Sequence, residues 1–352
     1  MTILVTGATG LVGAHSALAL MRAGHKVRLL VRDKHRARSW FAQQGVADIH
    51  YIQGDMRDHI LLEKAMQDCD AVLHAAAVVD LNASRAEQTL QANLAGLEAV
   101  VTQAVGLRIP KILYVSSLAV LMRPGVFCLR ENGPMAVAHD AYSRAKLACE
   151  QRVRDLQESG APIVISYPAA VVGPDDPKLS ESNAALRLFI EQFLPLTSSG
   201  LQIVDARDLG EFHRRMLEAR LDQSTVGGNA ERYIVGGHFV AWRELNAQLK
   251  QLGTRPLALP VPGWLLRILG GVMDALRVFI PVEFPLSRES ARMATQFVPA
   301  DSSRLLHRYG EGFRPLSETL ADTVSWLAES AQLSKKCSPE INNNTVELKN
   351  GR

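Results

Sequence analysis

The stretch TGATGLVG at residues 6–13 follows the apolar run Ile3-Leu4-Val5 and opens onto AHSALALMRAGH, whose apolar spacing predicts a helix over residues 11–23. Three glycines three apart, between a short buried strand and a helix, narrow what the chain can become. Gly7 permits a tight turn, Gly10 lets the backbone approach a pyrophosphate, and Gly13 lets the helix pack closely on the strand. The amides of the helix N-terminus then face an anion. Gly7, Thr9, Gly10, Leu11, Val12 and Gly13 are therefore candidate contacts to a dinucleotide. A plain glycine-rich turn is the other reading, and the pattern of the remaining chain decides between them.

Strand patterns at 26–31, 49–53, 71–77, 111–117 and 162–172 alternate with helical stretches, including one within 84–106 and one at 140–158. Such alternation predicts a Rossmann-type α/β fold: a doubly wound, mainly parallel seven-stranded sheet with a smaller C-terminal substrate lobe. Residues 1–176 are expected to form the dinucleotide-binding domain, with returns from about 201–240. Residues 177–330 would supply most of the lobe, and the polar segment 334–352 a disordered tail.

The net charge of +3 is too balanced for a nucleic-acid surface, so no nucleic acid is expected as partner. Cys69, Cys128, Cys149 and Cys337 form no CxxC pair. They point to a reduced, cytoplasmic setting without a disulfide framework or a metal. With a strand beginning at residue 3, no signal peptide is expected.

The second strand bears on the type of dinucleotide. It ends LLVRDKHRAR, with Val31 where a carboxylate would hold a free ribose 2'-hydroxyl. Arg32, Lys34, Arg36 and Arg38 follow, and an arginine fork suits a 2'-phosphate. NADP is the expected cofactor, with Arg32 as its reader and NAD as the alternative. Asp33 either faces the ribose or caps the next turn.

AYSRAK places Tyr142 and Lys146 four apart on one helix face. A free tyrosine titrates near about 10, too high for a proton relay at neutral pH. A lysine ammonium one turn away favours the phenolate. YVSSLAV ends the fifth strand pattern, and Ser117 there can orient a substrate carbonyl beside the tyrosine.

Taken in order, these motifs resemble the extended branch of the short-chain dehydrogenase/reductases, of the NAD-dependent epimerase/dehydratase type. The likeness is carried by TGATGLVG, GDMRD at 54–58, HAAA at 74–77, QANLAG at 91–96, YVSS, YSRAK, YPAAVVGP at 167–174 and VDARDLG at 204–210. LLVRD, and RYIVGG followed by AWRELNAQL, are most similar to the dihydroflavonol-reductase and 3-beta-hydroxysteroid-dehydrogenase group. The resemblance implies that Ser117, Tyr142 and Lys146 are catalytic, with Asn93 supporting them. It implies that Asp55 and Met56 border the adenine and that Ala75, Ala76 and Ala77 lie along the cofactor. Pro168 to Val171 would face the nicotinamide. Ala145, Tyr167 and Val172 depart from the family's usual serine, arginine and tyrosine, and the last two imply a less polar wall than a nucleotide sugar needs.

The expected activity is reversible NADP-dependent reduction of a carbonyl to a secondary alcohol on an apolar small molecule, by a monomer or homodimer. A nucleotide-sugar epimerase or dehydratase with retained NAD is the alternative, and a non-catalytic NADP-binding sensor or assembly factor is the alternative of another class. Pocket walls are expected from 78–81, 118–122 and 179–193. The apolar helix pattern within 261–281 carries only Arg267, Asp274 and Arg277 as charges. It predicts either a lobe helix packed on the core or across a dimer interface, or peripheral membrane contact through 263–280, with the arginines toward head groups.

Overall fold

The computed structural model describes residues 1–77, 86–123, 125–137, 141–221, 231–276, 288–310, 312–334 and 337. Strand β1 (Thr2–Thr6) sends Ile3 and Val5 to one face of a sheet and Leu4 to the other, and all three are fully buried. A strand covered on both sides must be apolar throughout, which is why this run lacks alternation. β4 (Ala71–His74) and β5 (Lys111–Val115) are buried along almost their whole length, β2 (Lys26–Val31) is buried from Leu29 to Val31 after a half-buried Arg28, and β3 (His50–Gln53) is a half-exposed edge. With β6 (Ile163–Pro168) and β10 (Arg232–Val235) they form one sheet in the order β10-β6-β5-β4-β1-β2-β3. Every pairing in it is parallel. The order reverses between β1 and β4, which opens a crevice at their carboxyl ends.

One face is covered by α1 (Leu11–Arg22), α2 (Lys34–Gln43), α8 (Ala206–Glu218) and α12 (Ser303–Tyr309). A side chain at Gly210 would stand 2.7 Å from the His15 carbonyl, so α1 and α8 meet backbone to backbone. The other face is covered by α3 (His59–Met66), α4 (Ala86–Leu97) with its π-helical continuation Glu98–Thr102, α5 (Gln103–Gly106) and α6 (Ala141–Glu158).

The stretch 162–172, expected to be a single strand, is two. Pro168 has no N–H to give the ladder, and pairing with β10 ends there. The chain then leaves the sheet as β7 (Ala170–Val172), which pairs with β9 (Gly200–Asp205) and through it with β11 (His238–Ala241). These strands and the pair β8 (Leu194–Leu196) and β12 (Ala258–Pro260) form the lobe with α7 (Glu181–Glu191), α9 (Trp242–Gln251), α10 (Gly263–Leu276), α11 (Arg288–Gln296) and α13 (Leu316–Glu329). Its core gathers Val172, Leu186, Ile203, Trp242, Leu245, Leu320 and Val324.

Three expectations change here. Leu118, Val120 and Leu121 are buried in the main core and are not free to line a pocket, and 78–81 lie outside the described residues. On α10, Trp264, Ile268, Leu269 and Val272 stand exposed while Arg267 turns inward to donate to Thr295 Oγ1 at 3.2 Å, so this arginine does not point outward with them. Arg277 is outside the described residues. Of the expected tail, Ser334 donates its amide to Glu191 and Cys337 packs on the lobe core. The other residues after 334 lie outside the described residues. No helix among the described residues is long and apolar enough to cross a membrane.

Candidate active site

The glycine turn closes as its spacing requires. Gly7 has φ +80°, and a Cβ there would meet Ala76 N at 2.6 Å. A Cβ on Gly13 would collide with the Gly7 carbonyl. Gly10 donates to Gly7 O at 3.0 Å and starts α1 with no side-chain cap. The first-turn amides, from Leu11 and Val12 onward, therefore have no intrahelical acceptor and remain for a ligand. Ala75 and Ala76 run directly beneath Gly7, and Ala77 follows them into the open. Thr9 sits half-buried in the turn itself.

Lys146 lies on α6, one turn after Tyr142, whose position on the helix is described but whose side chain is not. The lysine is buried, which pulls its ammonium below the ordinary lysine value. Cys149, Glu181 and Glu150 act in the opposite direction. Its charge reaches His74 at the end of β4. Burial and then Lys146 depress that imidazole to about 3, so it is neutral, and its Nδ1 is bonded to Thr6 Oγ1 at 2.7 Å. Ser117 begins a short 3-10 turn after β5 and accepts from Ala119 N at 3.2 Å. Asn93 is buried on α4, which packs along α6.

One turn beyond Lys146, the wholly buried Glu150 accepts from Ser116 Oγ at 2.7 Å, from Tyr167 Oη at 2.6 Å and from Arg154 Nε at 2.6 Å. Sequence reasoning misses this network, although Glu150 stands at helical spacing from Lys146. It also overturns the wall assigned to Tyr167 and Val172. Tyr167 points under α6 onto Glu150 and Arg154, and Val172 packs in the lobe core. Neither side chain therefore bears on substrate polarity. Pro168 is buried at the end of β6, and Val171 is nearly buried against the main core.

At the end of β2 the four cations do not act together. Arg32 is exposed. Arg36 instead donates to Pro177 O at 2.8 Å, and the charge of Arg38 acts on Tyr51. Asp33 caps α2, accepting from His35 N at 3.0 Å and Arg36 N at 3.1 Å. Asp55 is gripped by Arg57 through Nε at 2.9 Å and Nη2 at 2.7 Å. The hydrogen bonds from Arg57 chiefly, with weaker help from Arg32, hold its carboxyl down at about 2. Met56 leans against Gly96 of α4.

A model of the NAD-dependent epimerase/dehydratase family matches residues 3–235, more than half of the chain. The chain belongs to that family. It is an enzyme of the NAD(P)-dependent, extended short-chain dehydrogenase/reductase type, and the glycine cradle and uncapped α1 fit the cofactor that the family name states. A putative dihydroflavonol 4-reductase of Synechocystis sp. is 27% identical over 328 residues, covering 92% of this chain and 93% of that protein. Sterol demethylase protein B of Methylococcus capsulatus is 26% identical over 343 residues, covering 95% and 100%. The UDP-glucose 4-epimerase of Bifidobacterium longum, solved with NAD+ and UDP, superposes with a TM-score of 0.71 at 17% identity, over 94% of this chain and 99% of that one. That last likeness is one of fold.

Proposed function

We propose that this enzyme carries out reversible NADP-dependent hydride transfer between a carbonyl and a secondary alcohol on an apolar small molecule. The observation that carries the reading is Lys146, buried one turn from Tyr142 with its charge reaching the carboxyl end of β4. The nicotinamide dinucleotide supplies the hydride donor or acceptor when bound. In the reductive direction Tyr142 gives the carbonyl oxygen its proton. Lys146, one turn along the helix from Tyr142, would supply the positive charge that favours the phenolate and would bond the ribose hydroxyls. Ser117 holds the carbonyl oxygen. Its Oγ already accepts from Ala119 N, and its O–H has no acceptor among the described residues, so it is available to donate. Asn93 supports a water path for proton return.

NADP is favoured over NAD because Asp33 is spent on the α2 cap, which leaves the exposed cations Arg32 and Lys34 as the charged groups offered at the end of β2. The relatives matched along nearly the whole chain support the reductase and the apolar substrate by their names.

Tyr142→Phe should cut turnover by about 10²–10⁴-fold, the worth of a positioned acid, while NADPH binding stays close to wild type. Turnover near wild type in that variant would remove the assignment. Release of tightly bound NAD on denaturation, with no net NADPH oxidation by a panel of steroid, flavonoid and beta-keto ester carbonyls, would favour the epimerase or dehydratase.

A further inference from the structure

The segment after β7, GPDDPKLSES at 173–182, reads as a loop in the sequence. In the fold it is a strap fastened to the dinucleotide half at three successive points. His15 Nε2 donates to Pro174 O at 3.2 Å, Trp40 Nε1 to Asp175 O at 2.7 Å, and Arg36 Nη2 to Pro177 O at 2.8 Å. Two of these donors, Arg36 and Trp40, come from α2 and one from α1. Burial lowers the His15 value, and neutral or charged its Nε2 can serve as this donor.

The strap is also braced from within. The buried Asp176 carboxylate accepts from Lys178 N at 3.2 Å, Ser180 N at 2.6 Å and Asn183 Nδ2 at 3.0 Å. Asn183 ties back to Gly173 O at 2.9 Å. Asp175 and Leu179 are held at φ +55° and +53°, left-handed values that a leucine adopts only where its surroundings fix them.

What this bracing positions is Lys178. Its Cε lies 3.9 Å from the point where a Cβ on Gly10 would stand, directly over the middle glycine of the turn. No carboxylate among the described residues pairs with its ammonium. We propose that Lys178 is a cofactor-binding residue, its ammonium meeting the dinucleotide pyrophosphate from the side opposite the α1 amides. This rests on the reading that the glycine turn cradles that pyrophosphate. The turn supplies amide dipoles alone, and a diphosphate there carries charge that a nearby cation compensates. The bond from Arg36 to Pro177 then has a purpose: it withdraws one cation from the ribose end and fixes the strap that delivers another to the pyrophosphate.

The test is equilibrium binding of NADPH, NADH and ADP-ribose to the full chain, wild type against Lys178→Met and Lys178→Arg. The pyrophosphate is common to all three ligands. Lys178→Met should therefore weaken each by a similar factor, on the order of tenfold, which corresponds to about 1.4 kcal/mol. Lys178→Arg should recover most of that. Raising salt should narrow the gap between wild type and Lys178→Met. Equal affinities for wild type and Lys178→Met overturn the proposal, as does a loss confined to NADPH, which would put the ammonium at the 2'-phosphate. A wild-type chain that binds none of the three overturns the cradle reading itself.

Discussion

At the end of β2 the chain sets Arg32 and Asp33 side by side, and their surroundings separate them. Asp33 has both of its cap bonds made, whereas Arg32 is exposed and adds only a distant pull on Asp55. A 2'-phosphate offers an arginine a bidentate, charge-assisted partner, worth about 1.5–3 kcal/mol, and NADH offers no such group. Arg32→Ala should therefore weaken NADPH by about tenfold or more and leave NADH nearly unchanged, read as the ratio of the two dissociation constants. Equal weakening of both would remove the 2'-phosphate role from Arg32. The pair is legible in the sequence only as alternatives, because a residue after a strand can cap or contact, and the choice is made by the φ and ψ of the turn. Tyr167 escapes the sequence for a related reason. Strand periodicity says that neighbouring side chains point opposite ways, but not which of the two directions holds the crevice.

The elements themselves are easier to read than their contacts. β1 and β5 announce themselves as nearly continuous apolar runs because each is covered on both faces, and the 3.6 spacing of α1 and α6 survives into the structure. The break after Pro168 is hidden, since an apolar run continues across it and only the partner strands differ. The bracing of the strap is hidden too. Its donors His15, Arg36 and Trp40 are more than 130 residues away in sequence, at separations of 159, 141 and 135. For α2, the cap by Asp33 carries a stability prediction distinct from cofactor choice. Asp33→Ala frees the amides of His35 and Arg36 and should lower unfolding free energy by about 0.5–2 kcal/mol. The NADPH to NADH ratio should stay as in wild type. A shifted ratio with unchanged denaturant midpoint would mean that Asp33 reads the ribose after all.

Across the whole molecule, two buried histidines, one joining strand to strand and one joining helices to the sheet, set how stability responds to acid. His74 bonds Thr6 between adjacent strands, and His213 of α8 joins Ser16 Oγ of α1 at 2.8 Å to Ser166 Oγ of β6 at 2.9 Å. Burial pushes His213 down to about 3, and burial with the Lys146 charge does the same to His74. An unfolded chain binds a proton at each near its ordinary value of about 6.5. Between about 6.5 and 3 the unfolded state therefore holds more protons than the native state, and unfolding free energy falls as the pH falls. The limiting slope is about 1.4 kcal/mol per pH unit for each histidine. His15, also lowered by burial, adds to the same slope, while the buried Glu131, raised by burial, opposes it only above about 4.5. Urea unfolding at pH 7, 6 and 5 should show a midpoint that drops through the series, most steeply over the last unit. His213→Gln removes one of the titrating rings. Its absolute stability should be lower at pH 7 for lost packing and bonding, yet its pH dependence should be shallower by about one proton's worth. The comparison of slopes is independent of how far the variant is destabilised. A wild-type midpoint that stays flat from pH 7 to 5 would show that these rings are not held neutral in the folded chain.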